Sequence, residues 1–308
     1  MIVFMGTSNL AVPALQWLIA SDYRLAAVYT QPDRPAGRGR TLSASPVNRV
    51  ALDHGIAVCQ PATLKDATVI DAIGRLRPDV IVVAAYGKLL PDDLLNIPPH
   101  GCINIHPSLL PKHRGPSPVQ GALLAGDEHT GVTIILLDRD VDAGPIVAQT
   151  KVPIGPEDTA ASLSRRLAET GAQLLADTLP GWLSGTITAQ PQRHEEASYT
   201  SPLSKKEGEI KWHMAAVDLW RRVRALQPWP GSYTHWQGKL LKVIEAAPLP
   251  GAYGEPGLVV PLGDGGVGVQ TADGVLGLMQ VQLEGKRQMS IDEFRRGHSH
   301  FVGALLPS

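Results

Sequence analysis

The chain has 308 residues, of which 44% are hydrophobic, and its 28 basic side chains are nearly balanced by 29 acidic ones. This length exceeds that of an average single domain, so we expect two domains with separate cores. The balanced charge excludes a protein that coats nucleic acid through bulk positive charge, so any RNA contact must be local.

Cysteine usage and hydropathy predict where the protein resides. Cys59 and Cys102 lie in apolar runs and form no Cys-x-x-Cys pair, which indicates buried thiols in a reducing compartment. The first residues lack a basic flank followed by a long apolar stretch, and the longest apolar runs, such as 80–85, are too short to cross a bilayer. We therefore expect a cytoplasmic protein with no membrane partner.

Short β-rich runs alternate with helical patterns over the first two thirds of the chain, which is typical of stacked βαβ units. The predicted strands lie near Ile2 to Met5, Leu25 to Tyr29, Ala57 to Cys59, Val80 to Ala85, Cys102 to Ile105 and Val132 to Leu137. This part of the chain is therefore predicted to be a Rossmann-like α/β domain, with a mostly parallel sheet and helices on both faces.

Helix boundaries follow from capping residues. Ser45-Pro46 and Ser117-Pro118 each place a capping serine before a proline, which is typical of a helix start. Gly55 and Gly126 stand where glycine commonly ends a helix. A longer helix is predicted from about Thr159 to Leu183.

The composition changes after that helix. Residues 186–208 are polar and show no sustained apolar period, which is typical of an interdomain linker. A predicted amphipathic helix at 215–226 and short strands over 232–283, separated by Gly, Pro and Asp, indicate a small β-barrel. We therefore predict an α/β domain over 1–188, a linker over 189–206 and a β-barrel domain over 207–308.

Two polar side chains stand at the end of a predicted buried strand. Asn104 and His106 are two residues apart, so they project from the same side of that strand. In an isolated pair, such residues more often serve a turn. Their position at a strand's carboxyl end, where parallel sheets bind ligands, instead favours an active site. The amide could stabilise a developing oxyanion while the imidazole moves a proton.

The acidic series Asp138, Asp140 and Asp142 has the spacing of a calcium loop. That motif requires glycine at its sixth position and glutamate at its twelfth, where this chain has Ala143 and Gln149. We therefore expect no metal, and interpret Asp138 and Asp140 as part of a solvated loop.

The segment from Gln31 to Ser45 is longer than most connections in a compact α/β domain. Its Arg34, Arg38 and Arg40 are interspersed with glycines, which gives mobile guanidinium groups suited to phosphate oxygens. On charge alone, a solvated loop with no partner is an equal alternative.

Several motifs carry a family resemblance. Asn-Ile-His-Pro-Ser-Leu-Leu-Pro at 104–111, followed by Gly115 and the acidic loop at 138–144, resembles the enzymes that take a formyl group from 10-formyltetrahydrofolate. The start of the chain at 6–13, the loop at 30–40 and Gln-Pro-Trp-Pro at 227–230 are similar to one branch of that superfamily, the methionyl-tRNA formyltransferases. These stretches fall in both halves, so the resemblance is close to full length.

The resemblance implies substrates and site residues. It implies 10-formyltetrahydrofolate and initiator methionyl-tRNA as substrates of a monomeric enzyme, with an oligonucleotide-binding type of barrel. The implied catalytic residues are Asn104, His106 and Asp142. The implied folate contacts are Ser108, Leu109, Leu110 and Pro111. Arg34, Arg38 and Arg40 would contact the acceptor end of the tRNA.

The expected mechanism assigns one role to each catalytic side chain. Asn104 would donate to the oxyanion, and a protonated His106 would stabilise the same oxygen and supply a proton to the leaving nitrogen. Asp142 would hold His106, raise its affinity for the proton and help to deprotonate the attacking amine.

Three alternatives stay open. The form His-Pro-Ser-Leu-Leu-Pro, with Pro107 and Ser117 where the tRNA enzymes commonly have smaller residues, is familiar from glycinamide ribonucleotide formyltransferase. That enzyme resembles only the first domain, which favours tRNA. An amino sugar nucleotide is a second possible acceptor. An RNA-binding module on an inactive formyltransferase fold is the third alternative, and the intact Asn104, His106 and Asp142 argue against it.

Overall fold

The computed structural model describes residues 1–36, 41–263 and 265–307. Two compact units can be distinguished within it. The first comprises 1–118, 129–153 and 163–201, and the second comprises 119–128, 154–162 and 202–308. Most of the predicted linker, 189–201, therefore belongs to the first compact unit. The functional limits 1–188, 189–206 and 207–308 stay a prediction.

The first unit is built around a seven-stranded sheet. The strands in this part of the chain are β1 (Ile2–Gly6), β2 (Leu25–Tyr29), β3 (Arg34–Ala36), β4 (Thr41–Ser43), β5 (Val58–Cys59), β6 (Val80–Ala84), β7 (Cys102–His106), β8 (His129–Leu136) and β9 (Ile146–Pro153). The sheet order is β5-β2-β1-β6-β7-β8-β9, while β3 and β4 form a separate hairpin. The pairs from β5 to β7 are parallel, and β8 and β9 are antiparallel to their neighbours.

Helices cover both faces of this sheet. The helices that belong mainly to the first unit are α1 (Val12–Ala20), α2 (Pro46–Asp53), α3 (Ala67–Arg75), α4 (Asp92–Leu95) and α6 (Ala160–Leu183). Nearly all of α5 (Pro118–Ala125) falls in the second unit. Successive strand residues point to opposite faces. In β1, Ile2 and Phe4 pack in a core that includes α1, α2 and α6, whereas Val3 and Met5 pack in a second core with α3 and α4. The Rossmann-like, mostly parallel fold is confirmed.

Local sequence explains several of these elements. All five residues of β6 are buried, as expected for a central strand with helices on both sides. Ser45 caps α2, because its hydroxyl oxygen accepts a hydrogen bond from the Asn48 backbone N–H at 3.0 Å. A Cβ at Gly6 would lie 2.7 Å from the Phe4 ring and 2.8 Å from the Ala11 Cβ, so this turn requires glycine.

Two features of the first unit were not predicted. Arg34 pairs with Ser43 in the β3–β4 hairpin, inside the segment interpreted as a loop. Arg38 and Arg40 lie outside the described residues. The strand β9 also escaped prediction, because its polar residues and alternating burial are typical of a half-exposed strand with a weak apolar signal.

The second unit contains an antiparallel half-barrel. Its elements are α7 (Ala216–Ala225), β10 (Ser232–Trp236), β11 (Lys239–Leu249), β12 (Val259–Pro261), β13 (Val267–Gln270), β14 (Val275–Leu283), β15 (Met289–Ser290) and α8 (Ile291–Gly297). The sheet order is β10-β11-β14-β13-β12, with β15 paired to β14. Its core contains an aromatic cluster in which Trp236 lies edge-on to Phe294 and Phe301, at centroid distances of 5.6 and 5.3 Å.

No helix within the described ranges has the combined length and apolar character needed to cross a bilayer.

Candidate active site

The strand β7 carries both polar residues singled out in the sequence. It runs parallel to β6, with Asn104 beside Val83, so its carboxyl end lies at the edge where parallel sheets bind ligands. Asn104 is half-buried, and His106 is only 4% exposed. Asp142 approaches them from the loop that joins β8 to β9.

The Asp142 carboxylate is the centre of the cluster. Its Oδ1 accepts a hydrogen bond from Asn104 Nδ2 at 3.5 Å, and its Oδ2 lies 3.5 Å from His106 Nδ1. The same Oδ2 accepts a hydrogen bond from the Gly115 backbone N–H at 2.8 Å. The structure therefore brings together the three residues predicted as catalytic, although 38 positions separate Asn104 from Asp142.

The backbone around Asp142 is fixed by close contacts. Asp142 has a positive φ of 51°, which is uncommon for a residue with a side chain. A Cβ at Gly144 would lie 1.9 Å from the Leu136 carbonyl oxygen, so only glycine fits there. Gln192 Nε2 donates to the carbonyl oxygens of Asp142 at 2.9 Å and Gly144 at 2.7 Å. Sequence reasoning missed Gln192, because nothing in its local pattern distinguishes it from other polar residues of 186–208.

Both ring nitrogens of His106 face oxygen atoms. Nε2 lies 3.0 Å from the His113 carbonyl oxygen, while Nδ1 faces Asp142. Burial lowers the pKa of His106, and this effect outweighs Asp142 and the His113 carbonyl, which raise it. The lowered pKa favours the neutral ring, and a proton on Nε2 allows that nitrogen to donate to the His113 carbonyl oxygen. The expected role of a protonated His106 stays a prediction, and the burial that opposes protonation is not visible in the sequence alone.

A cavity of about 550 Å³ opens beside the cluster. Asn104, His106 and Asp142 line it together with the run 83–90, which follows β6, and the acidic residues of the loop 137–141. The run 83–90 was not singled out in the sequence. The signal was available, since β6 is a parallel strand next to β7 and its carboxyl end meets the same edge.

The segment 108–111 follows His106 and Pro107, which line this cavity, but is not itself part of the lining. Ser108 and Leu110 are buried in a tight turn. The Ser108 hydroxyl donates to the Lys112 carbonyl oxygen at 2.7 Å, and the Leu110 N–H donates to Thr133 Oγ1 at 3.1 Å. The folate contacts of Ser108, Leu109, Leu110 and Pro111 stay a prediction.

Arg34 is the one loop arginine of the three whose surroundings are described. Its side chain is exposed, and Nη2 donates to Gln31 Oε1 at 2.5 Å. Gln31 in turn donates through Nε2 to the Tyr86 carbonyl oxygen at 2.8 Å. Because Tyr86 belongs to the run 83–90, the start of this loop is bonded to the wall of the cavity.

Comparison with known proteins identifies the family. A family model described as formyl transferase matches residues 1–179, and one described as formyl transferase, C-terminal domain, matches residues 202–299. The methionyl-tRNA formyltransferase of Roseiflexus sp. (strain RS-1) is 46% identical over 299 residues, which cover 96% of this chain and 92% of that protein. The chain belongs to the methionyl-tRNA formyltransferase family. The resemblance found in the sequence motifs is thereby confirmed.

Solved structures share the fold of this methionyl-tRNA formyltransferase family member. HypX from Aquifex aeolicus, in complex with tetrahydrofolic acid, has a TM-score of 0.64 at 19% identity. The match covers 98% of this chain and 48% of HypX, so the chain spans about half the length of HypX. WlaRD, a sugar 3N-formyltransferase, has a TM-score of 0.68 at 18% identity, with 93% of this chain and 98% of WlaRD covered.

The described part of this methionyl-tRNA formyltransferase family member contains no group of three or more His, Cys, Asp and Glu side chains arranged to hold a metal ion. The chemical groups gathered at the cavity are an amide, an imidazole and a carboxylate. Together they can polarise a carbonyl oxygen and store a proton, which are the two requirements for moving an acyl group between nitrogen atoms.

Proposed function

We propose that the chain transfers the formyl group of 10-formyltetrahydrofolate to the free α-amine of initiator methionyl-tRNA. The protein is a one-carbon transferase that uses a tetrahydrofolate-derived co-substrate. The observation that carries the choice of acceptor is the 46% identity to a methionyl-tRNA formyltransferase over 96% of the chain, a match that includes the second unit. Glycinamide ribonucleotide and amino sugar nucleotides are the other acceptors to test.

The reaction exchanges one carbon–nitrogen bond for another. The α-amine nitrogen forms a bond to the formyl carbon, and the bond from that carbon to the folate nitrogen breaks. The amine loses one proton and the leaving folate nitrogen gains one, so no oxidant, reductant or metal is needed. The protein has to stabilise the charge on the formyl oxygen and carry the proton.

Each residue of the cluster fits one of these tasks. Asn104 donates its side-chain N–H to the formyl oxygen as negative charge develops there. The neutral His106 accepts a proton at Nδ1, where Asp142 lies 3.5 Å away and stabilises the imidazolium. The His113 carbonyl oxygen holds the other ring nitrogen, so the ring keeps its orientation while it changes charge. His106 then passes this proton, which it has taken from the attacking amine, to the leaving folate nitrogen.

The cavity fits a formyl donor that carries a flat, partly apolar ring system. Its volume of about 550 Å³ lies within the range of small-molecule sites. Apolar residues of the run 83–90, including Leu89 and Leu90, line it alongside the polar cluster. We assign the ring of the donor to this run. We assign one of two roles to the segment that follows His106, namely Ser108, Leu109, Leu110 and Pro111. It either fixes the turn that holds His106 or contacts the part of the folate outside the ring.

The tRNA requires contacts outside this cavity. We assign phosphate contacts of its acceptor end to Arg34, Arg38 and Arg40, whose guanidinium groups suit phosphate oxygens. We propose that the second unit, which contains the half-barrel, binds the body of the tRNA. The protein acts as a cytoplasmic monomer in this scheme.

The decisive experiment offers the purified protein 10-formyltetrahydrofolate with one of three acceptors, namely methionyl-tRNA, glycinamide ribonucleotide or an amino sugar nucleotide. We expect rapid formylation of methionyl-tRNA and little or none of the other two. Preferred formylation of a small amine would refute the proposed acceptor. Binding of tRNA without formylation of any acceptor would instead support an inactive RNA-binding module.

A further inference from the structure

A second cavity, of about 610 Å³, adjoins the catalytic one. Gly115, Pro116, Asp140 and Val141 line both cavities, so they share a wall next to Asp142. The other side of the second cavity is formed by Arg114 and the segment 194–200. A substrate whose amine enters the catalytic cavity can therefore place its adjoining group here.

Arg114 gives this cavity a buried positive charge. The side chain is only 2% exposed, and the described residues place no carboxylate within ion-pair distance of it. Its hydrogen bonds go to Gln192 Oε1 at 2.7 and 3.2 Å, the Tyr199 hydroxyl at 3.2 Å and His194 Nδ1 at 3.3 Å. Burial of a cation without a counterion has an unfavourable desolvation free energy. Binding of an anion in the cavity is therefore stabilised by pairing with the Arg114 charge.

Tyr199 gives the same cavity an exposed aromatic surface. Its side chain is among the most exposed large hydrophobics of the described chain, at 71%. The ring is nevertheless held in place, because Arg114 Nη1 donates to its hydroxyl and the guanidinium lies 5.8 Å from the ring centroid. The backbone is fixed too, since the Arg114 N–H donates to Ser198 O at 2.9 Å and the Thr200 N–H to Arg114 O at 2.8 Å. A rigid, exposed ring of this kind suits stacking with a nucleic-acid base.

We propose that this second cavity binds the 3′-terminal adenosine nucleotide of the aminoacyl-tRNA, with the base stacked on Tyr199 and the 5′-phosphate paired with Arg114. The inference rests on the proposed function and deepens it. In an aminoacyl-tRNA the amino acid is esterified to the terminal ribose, so this nucleotide has to lie directly beside the formylated amine. In an amino sugar nucleotide, a sugar and a diphosphate separate the amine from the nucleoside, which fits adjoining cavities less well.

The test uses AMP as the probe on the full-length protein. AMP should inhibit formylation competitively against methionyl-tRNA and should not compete with the folate. AMP should also bind more tightly than adenosine, because adenosine lacks the phosphate that pairs with Arg114. This comparison needs no variant and so does not depend on how an Arg114 substitution folds. Tighter binding of dTDP than of AMP would overturn the proposal in favour of a nucleotide sugar.

Substitutions of Tyr199 test the stacking surface. Tyr199→Ala should raise the KM for methionyl-tRNA and weaken AMP binding, each by roughly 5-fold to 100-fold, the range of base–aromatic stacking. Tyr199→Phe keeps the ring and should restore most of the affinity. Tyr253→Ala, which removes a ring that is 53% exposed and lies in the other unit, is the control for AMP binding.

The outcomes separate this proposal from the proposed function. If the wild-type protein formylates methionyl-tRNA but Tyr199→Ala leaves both KM and AMP affinity unchanged, the subsite is wrong and the function stands. If the wild-type protein does not formylate methionyl-tRNA but still binds AMP through Tyr199, the function is wrong and the nucleotide site stands. A fall in kcat with no change in KM or AMP affinity would show that Tyr199 only supports the catalytic loop, and would overturn the subsite.

Discussion

Asp142→Asn tests the centre of the proposed mechanism, since it removes one charge and keeps the shape of the side chain. Two of the three nitrogen atoms around the carboxylate, those of Gly115 N–H and His106 Nδ1, face the same oxygen, Oδ2. An asparagine that places its oxygen there keeps the 2.8 Å bond to Gly115, and the Asn104 amide can flip to present its oxygen to the new NH2 group. The fold should therefore survive, while His106 loses the charge that stabilises its protonated form.

The size of the effect follows from the separation of 3.5 Å between His106 Nδ1 and Asp142 Oδ2. Two unit charges at that distance interact by about 1 kcal/mol in bulk water and by about 5 kcal/mol at an effective dielectric constant of about 20. Loss of this interaction as His106 takes up its proton should lower kcat by between roughly 5-fold and roughly 5 × 10³-fold. The Asp142 side chain is only 14% exposed, which favours the larger loss.

The assay is single-turnover formylation of methionyl-tRNA as a function of pH. In Asp142→Asn, the pKa of His106 should fall below its wild-type value, because burial still lowers it and the opposing carboxylate is gone. The limb of the rate profile assigned to His106 should therefore move to lower pH. Asp93→Asn, which removes an exposed carboxylate outside the cavity, is the matched control. A folded Asp142→Asn variant with a rate within about twofold of wild type and an unchanged profile would refute the proposed pairing.

Three further predictions concern separate groups. Asn104→Ala should lower the rate of formyl transfer by roughly 10²-fold or more and leave folate binding largely intact, and a folded variant with wild-type turnover would rule out an oxyanion donor. Burial lowers the pKa of His106 in the folded protein below its ordinary 6.5, so protonation favours the unfolded chain. The free energy of unfolding should therefore fall as the pH drops below about 6.5, with a shallower slope in His106→Gln, and equal slopes in both proteins would contradict this. Replacing Arg34, Arg38 and Arg40 together with Ala should weaken tRNA binding and flatten its salt dependence by up to about one unit of slope for each phosphate that an arginine had neutralised. An unchanged slope would show a solvated loop.

The fold was predictable from the sequence where local signals agree with the final packing. The continuous apolar run of β6 and the serine and proline at the start of α2 identify their elements, because a central strand is buried on both sides and a helix start needs a capping group. The half-exposed β9 gave no such signal. The β3–β4 hairpin was hidden as well, since three-residue strands among arginines and glycines have the composition of a loop.

The active site was partly predictable for a related reason. Asn104 and His106 follow from strand periodicity and from the rule that parallel sheets bind ligands at their carboxyl ends. The distances that join them to Asp142, and the burial that lowers the pKa of His106, depend on long-range packing that no local pattern encodes. Gln192 illustrates the same limit, since its role appears only once the segment after α6 returns to the β8–β9 loop.

The position of Gln192 has a consequence for the order in which the protein matures. Its side chain holds the carbonyl groups of Asp142 and Gly144, yet it is encoded 50 residues after Asp142. During synthesis, the Asp142 loop can therefore gain these two hydrogen bonds only after residue 192 has emerged from the ribosome. A fragment that ends at residue 188 contains every strand of the seven-stranded sheet but lacks this support. Recombinant fragments intended to retain the Asp142 geometry should therefore extend to residue 201, where the first compact unit ends.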